Sequence, residues 1–181
     1  MAPVAGWSSI LHRWPTWAAI ALAVPISLDL SGGTDLAPAV AASALIYLGA
    51  ATVRKPSAVW AVFPAAVLVI FAAEAGGVDP TWALIGVSVP LVSYGLWSGT
   101  RRANPGLPYQ VIAMAVFGAT AAVALGAGDD AGALLVAAGL VGHAAWDVHH
   151  HRANKVVTRS YAELCFVLDA CLAVVVVAVT F

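Results

Sequence analysis

His143, Asp147, His150 and His151 follow one another at i, i+4, i+7 and i+8, which on a 3.6-residue helix places them on a single stripe. Imidazole and carboxylate one turn apart form a workable pair of metal ligands. Asp169, on the next apolar run, offers a further oxygen. His143, Asp147, His150 and Asp169 are therefore the expected metal set, with His151 as a substitute for His150. Zn²⁺ or another divalent metal accepts such mixed N/O donors while keeping a position for water or substrate. Without a metal the same groups can pass protons. His143, Asp147 and Asp169 are accordingly the expected catalytic residues.

These residues fall in the one stretch, Gly142 to Asp169, where ionisable groups crowd together. It holds four of the five histidines, three of the nine acids and three of the eight bases. Simpler roles exist for several of them. His149 to Arg152 suit a solvated helix end, where positive charge complements the helix dipole. Glu163 suits a first-turn acid, and Asp169 suits structural pairing with His143. Cys165 and Cys171, six apart on one helix, are poorly placed to bridge each other and read as buried apolar residues.

The elements that position these groups follow from composition. The chain is 62% hydrophobic and only 9% charged over 181 residues, with mean hydropathy +0.92. A water-facing surface needs about a quarter charged residues, so lipid is the expected solvent. Crossing about 30 Å of hydrocarbon takes roughly 20 residues, and seven spans use nearly the whole chain as one bundle domain, residues 1–181. The runs are Trp14 to Leu30, Leu36 to Val53, Val59 to Ala75, Trp82 to Trp97, Tyr109 to Ala127, Gly132 to about His149, and Ser160 to Phe181. The fold class is all-α, a polytopic integral membrane protein.

Charge placement orients the bundle. Arg13 precedes the first span, Arg54 and Lys55 join the second to the third, Arg101 and Arg102 the fourth to the fifth, and Arg152, Lys155 and Arg159 the sixth to the seventh. All eight bases thus share one side, opposite Asp35, Asp79, Asp129 and Asp130. The positive-inside rule makes the N-terminus cytoplasmic and the C-terminus outside, in a multi-pass protein of the cell membrane. Trp14, Trp17, Trp60, Trp97 and Trp146 fall where an aromatic belt is expected. Similarity between Trp17–Pro25 and Trp82–Pro90 hints that spans one to three repeat as spans four to six, inverted as in many secondary transporters.

Gly132 and Gly139 extend the His/Asp stripe and let another helix approach it, so the stripe should face the bundle interior. Counting inward, His143 lies roughly 13 Å from Arg152 and Asp169 roughly 15 Å from Arg159. The short connection makes spans six and seven antiparallel neighbours, so these matched depths become contacts. Asp147 and Glu163 match in the same way.

A His/Asp set within seven spans resembles that of the seven-helix intramembrane zinc hydrolases of the ceramidase and adiponectin-receptor type. Histidines there are spread over early and late spans, whereas His143 to His151 share one helix end, so the likeness is one of residue type and implies no membership. The expected function is a membrane-embedded enzyme acting on a lipid-soluble substrate by metal-assisted or general acid–base chemistry. The alternatives are a small proton- or metal-ion-coupled transporter and a non-catalytic membrane subunit. Expected partners are membrane lipids and a lipid-soluble small molecule or ion. A homo-oligomer is compatible with this composition, and nucleic acid is not an expected partner. No phosphate-cradling Gly-rich loop with Lys, no H-E-x-x-H, no G-x-S-x-G and no C-x-x-C occurs.

Overall fold

Apolar runs punctuated by Pro, Gly and Asp become helices where the punctuation allows. The structure, a computed structural model, describes residues 13–98, 104 and 106–181. Among them are seven α-helices and no strand. These are α1 (Trp14–Leu28), α2 (Ala37–Thr52), α3 (Val59–Ala75), α4 (Pro80–Trp97), α5 (Leu107–Gly126), α6 (Asp129–Ala153) and α7 (Arg159–Thr180), with 3-10 turns at Gly33–Leu36 and Pro56–Ala58. His12, Arg101 and Arg102 lie outside the described residues. Five of the helices, two of them together with the 3-10 turn that precedes each, are long and apolar enough to cross a membrane. α1, with 15 residues, is shorter.

Proline occupies the first turn of α1, α2, α4 and α5, where its missing N–H costs no intrahelical bond. Asp79 caps α4 by accepting from the Thr81 N–H at 2.8 Å, and Thr158 caps α7 by accepting from Tyr161 N–H at 3.3 Å. α6 carries Asp129 and Asp130 in its first turn and His150, His151 and Arg152 in its last, matching the dipole at both ends. It stops at Asn154, whose φ of 51° is left-handed. Asp35, expected only as an outer-side acid, folds its carboxylate back onto the N–H groups of Ser31 and Gly32 and the Ser31 hydroxyl. It thereby shapes the turn into α2.

α2 is the axis of the molecule. Fourteen of its 16 residues are buried, as expected of a helix that is apolar all round and enclosed. α3 is equally apolar and the reverse in placement, with Leu68 and Phe71 more than 60% exposed. α6 and α7 form the most extensive helix pair, flanked by α1 on α7 and by α5 on α6, while α2 packs against α3, α4, α5 and α6. Arg54, Lys55, Asn104 and Lys155 border one cavity, so the connections α2–α3, α4–α5 and α6–α7 gather at one end of the bundle. Gly33 lies against Ala133 and Thr180 at the other end.

The expected close approach at the glycines of α6 is present. A methyl group on Gly132 would lie 2.5 Å from the Ala124 carbonyl oxygen, and one on Gly139 2.8 Å from Val40 Cγ1. Gly86, on α4, faces open space. Gly132→Ala should therefore destabilise the protein by about 1–3 kcal/mol through overpacking against backbone. Gly86→Ala should be neutral or stabilising by about 0.5–1 kcal/mol. Unfolding midpoints of the two variants in detergent check both signs.

Candidate functional site

Three polar side chains from two helices meet where the bundle is otherwise apolar. His143 and Asp147 project from α6 and Asp169 from α7, with 0%, 0% and 4% of their surface exposed. His143 Nδ1 donates to Asp169 Oδ2 at 2.8 Å and lies 3.4 Å from Asp147 Oδ2. Each residue contributes one ligand atom to a group lying within 4.8 Å of one another. At that separation two carboxylate charges repel by about 3 kcal/mol or more at an effective dielectric near 20. Either a cation stands between them or one of them holds a proton. With neutral imidazole and two carboxylates the cluster carries two negative charges, balanced either by two protons or by one divalent metal ion.

Metal fits this donor set in part. Three protein ligands with a fourth position free is the pattern of catalytic zinc. The 3.4 Å edge from Nδ1 to Asp147 Oδ2 equals that of a tetrahedron with bonds of about 2.1 Å. The 2.8 Å edge to Asp169 is that of a hydrogen bond, so an ion there requires α6 and α7 to part by a few tenths of an ångström. Asp147 Oδ2 keeps free valence for either occupant, and His143 Nε2, across the ring from Nδ1, is likewise buried without a hydrogen-bond partner.

Tyr47 of α2 completes the cluster. Its hydroxyl donates to Asp147 Oδ1 at 2.5 Å, fixing one carboxylate oxygen and turning the other towards His143. Its ring meets His143 edge-on at 5.2 Å, and Phe117 meets the same imidazole at 5.2 Å. The sequence contains a weak signal for Tyr47, which is the only aromatic residue in Ala37–Thr52, among small and aliphatic neighbours. Spacing along α6 and α7 could not reveal it.

His150 does not join the cluster, although it shares the stripe. Its Nδ1 donates to the Trp146 carbonyl at 2.9 Å, and its Nε2 meets Gln110 Nε2 at 3.1 Å. Gln110 Oε1 accepts from the Trp146 indole N–H at 3.3 Å. An indole can only donate, so the amide orientation follows, and the His150 lone pair is taken by the Gln110 amide. Tyr47 lies 5.0 Å from the His150 ring and 5.2 Å from that of His143. Seven residues of helix span about 10.5 Å, which puts Tyr47 between the two histidines. Trp146, expected in the lipid belt, is half-buried and takes part in this ring of hydrogen bonds, and Gln110, 1% exposed, is a polar residue that periodicity alone did not single out.

Glu163 turns away from Asp147 as well. It accepts from Thr16 Oγ1 at 2.8 Å and pairs with Arg13 at 3.5 Å, because its position on α7 faces α1. Asp147 and Glu163 do border a common cavity of about 290 Å³, with Arg13, His151 and Arg152 around its rim. Cys165 and Cys171 are both free thiols.

No family model, curated protein or solved structure matches this chain. His143→Leu, which leaves two buried carboxylates with no cation between them, should cost about 3–5 kcal/mol of stability. Tyr47→Phe, which strands one carboxylate oxygen, should cost about 1–3 kcal/mol. Chemical denaturation in detergent checks both values and their order.

Proposed function

We propose that this chain is a multi-pass membrane protein whose reactive centre is the His143–Asp147–Asp169 cluster. It acts on a lipid-soluble substrate by metal-assisted or general acid–base chemistry. The membrane reading rests on the five long apolar helices and on the outward face of α3, where Leu68 and Phe71 stand exposed. Continuous apolar surface of this kind is not sustained in water. The clustering of the loop bases at one end of the bundle supports an N-terminus on the cytoplasmic side and a C-terminus outside.

The observation that carries the catalytic reading is the buried, unpartnered Oδ2 of Asp147, 3.4 Å from His143 Nδ1. Asp147 is also the one member of the cluster among the residues that border the 290 Å³ cavity. Tyr47 holds its other oxygen. His143 presents the same Nδ1 to both carboxylates, at 2.8 Å from Asp169 Oδ2 and 3.4 Å from Asp147 Oδ2, so one imidazole proton can be passed between the two acids. A divalent ion held by His143, Asp147 and Asp169 would supply Lewis-acid polarisation of a substrate oxygen.

Small size favours a second reading. A cavity of about 290 Å³ lies at the lower limit for small-molecule sites, and a charge-balanced exchange of two protons for one divalent ion suits a coupled transporter. Asp169→Asn keeps size and one acceptor, so the protein should remain folded while turnover or flux falls by about 100-fold or more, the loss expected for general acid–base catalysis. Bound metal measured on detergent-purified wild type and Asp169→Asn separates the metal form from the proton form. Ion uptake into proteoliposomes, with and without a pH gradient, separates transport from catalysis. An Asp169→Asn protein with unchanged metal content and unchanged flux or activity would sink both readings and leave a structural cluster.

A further inference from the structure

A second and larger cavity, about 920 Å³, opens at the base-rich end between the α2–α3, α4–α5 and α6–α7 connections. It shares no lining residue with the smaller cavity. Among the described residues, Arg54, Lys55 and Lys155 border it and no acid does, and all three are exposed. Among the described residues none of the three forms an ion pair. Its inner wall is the closed ring of Trp146, Gln110 and His150, whose hydrogen-bonding groups already satisfy one another. Such a wall is rigid and neutral, so the charge of the cavity is that of its rim.

The backbone around this cavity is unusual in a way that the rest of the described chain is not. Three non-glycine residues have left-handed φ, namely Arg54 at 57°, Asn154 at 51° and Val156 at 70°, and all three border it. Asn tolerates that region as a helix cap. A β-branched residue does not, and Val156 is a true outlier. The Val157 N–H reaches the Lys155 carbonyl at 2.8 Å, closing a strained γ-turn around Val156. Strain of this kind persists where surrounding structure enforces it, typically at binding sites. Here it sets Lys155 on the rim that Arg54 and Lys55 also border. Across the third side, Asn104 anchors the α4–α5 connection by donating to the Ala51 carbonyl at 2.9 Å.

From the cavity, the three unpaired cations and the enforced rim, we infer that this end of the bundle binds a phosphate group. Phosphate is the common anion that several converging cations can share, and Tyr109 and Trp146 give an attached carbon skeleton aromatic surface to rest on. The phosphate is carried either by an anionic lipid headgroup or by a free phosphate compound. The site is independent of the His143 cluster, from which Tyr47 and His150 separate it.

The test uses the full chain in nanodiscs of phosphatidylcholine, alone or mixed with phosphatidylglycerol. Inorganic pyrophosphate is titrated calorimetrically into the first, and lipid retained by the protein from the second is read by native mass spectrometry. Two variants are compared with wild type. Arg54→Gln/Lys55→Gln/Lys155→Gln removes the charge, and Ala153→Trp fills the cavity from an exposed position without altering charge. Saturable pyrophosphate binding, weakened about tenfold or more in both variants, establishes a free phosphate ligand. Selective retention of phosphatidylglycerol, lost in both variants, establishes a headgroup. The inference is overturned if neither probe binds. It is also overturned if the neutralised variant binds like wild type, or if Ala153→Trp leaves binding unchanged, since attraction is then diffuse and needs no cavity.

Discussion

One imidazole nitrogen, held between two carboxylates in a medium that cannot solvate them, constrains much of this molecule. His143 Nδ1 lies 2.8 Å from one Asp169 oxygen and 3.4 Å from one of Asp147. A buried carboxylate is tolerated when paired or protonated. The short connection brings α6 and α7 to matched depth in the most extensive interface of the bundle, where the imidazole meets both acids, and Tyr47 of α2 satisfies the other Asp147 oxygen. Gly132 and Gly139 let α6 approach α5 and α2 closely on the part of the helix beyond the cluster.

Tyr47 links two parts of the protein that would otherwise be separate. On one side it donates to Asp147 and meets the His143 ring. On the other it packs against His150, which belongs to the neutral ring with Gln110 and Trp146. The two histidines, two turns apart on one helix, therefore have different surroundings. His143 has an orphaned nitrogen and two acidic neighbours. His150 has both nitrogens committed to protein partners. Identical residue type and identical helix face are not enough to predict this difference, because it is decided by what α2 and α5 bring opposite each position.

The bundle also divides its charges by end and its cavities by chemistry. The smaller cavity is bordered by Asp147 and Glu163 together with Arg13 and Arg152, so charges of both signs meet there. The larger is bordered by Arg54, Lys55 and Lys155 without acids. Both open at the same end, where three connections converge. There a β-branched residue is held at left-handed φ, with no helix to dictate its conformation.

Much of the fold was legible in the chain because apolar run length and Pro/Gly punctuation are local properties. The expected runs coincide with the seven helices to within a few residues at their ends. The stripe of His143 and Asp147 and the matched depth of Asp169 were legible too, since helical rise and a short connection translate directly into distance. What sequence spacing could not decide was every contact contributed by a helix distant in the chain. Tyr47 reaches Asp147 across 100 residues, Gln110 claims His150 across 40, and Thr16 claims Glu163 across 147. Periodicity reports which face a residue occupies and how deep it lies. Only the packing of α1, α2 and α5 against α6 and α7 determines which partner waits there, and so whether a histidine is free to react or already bound.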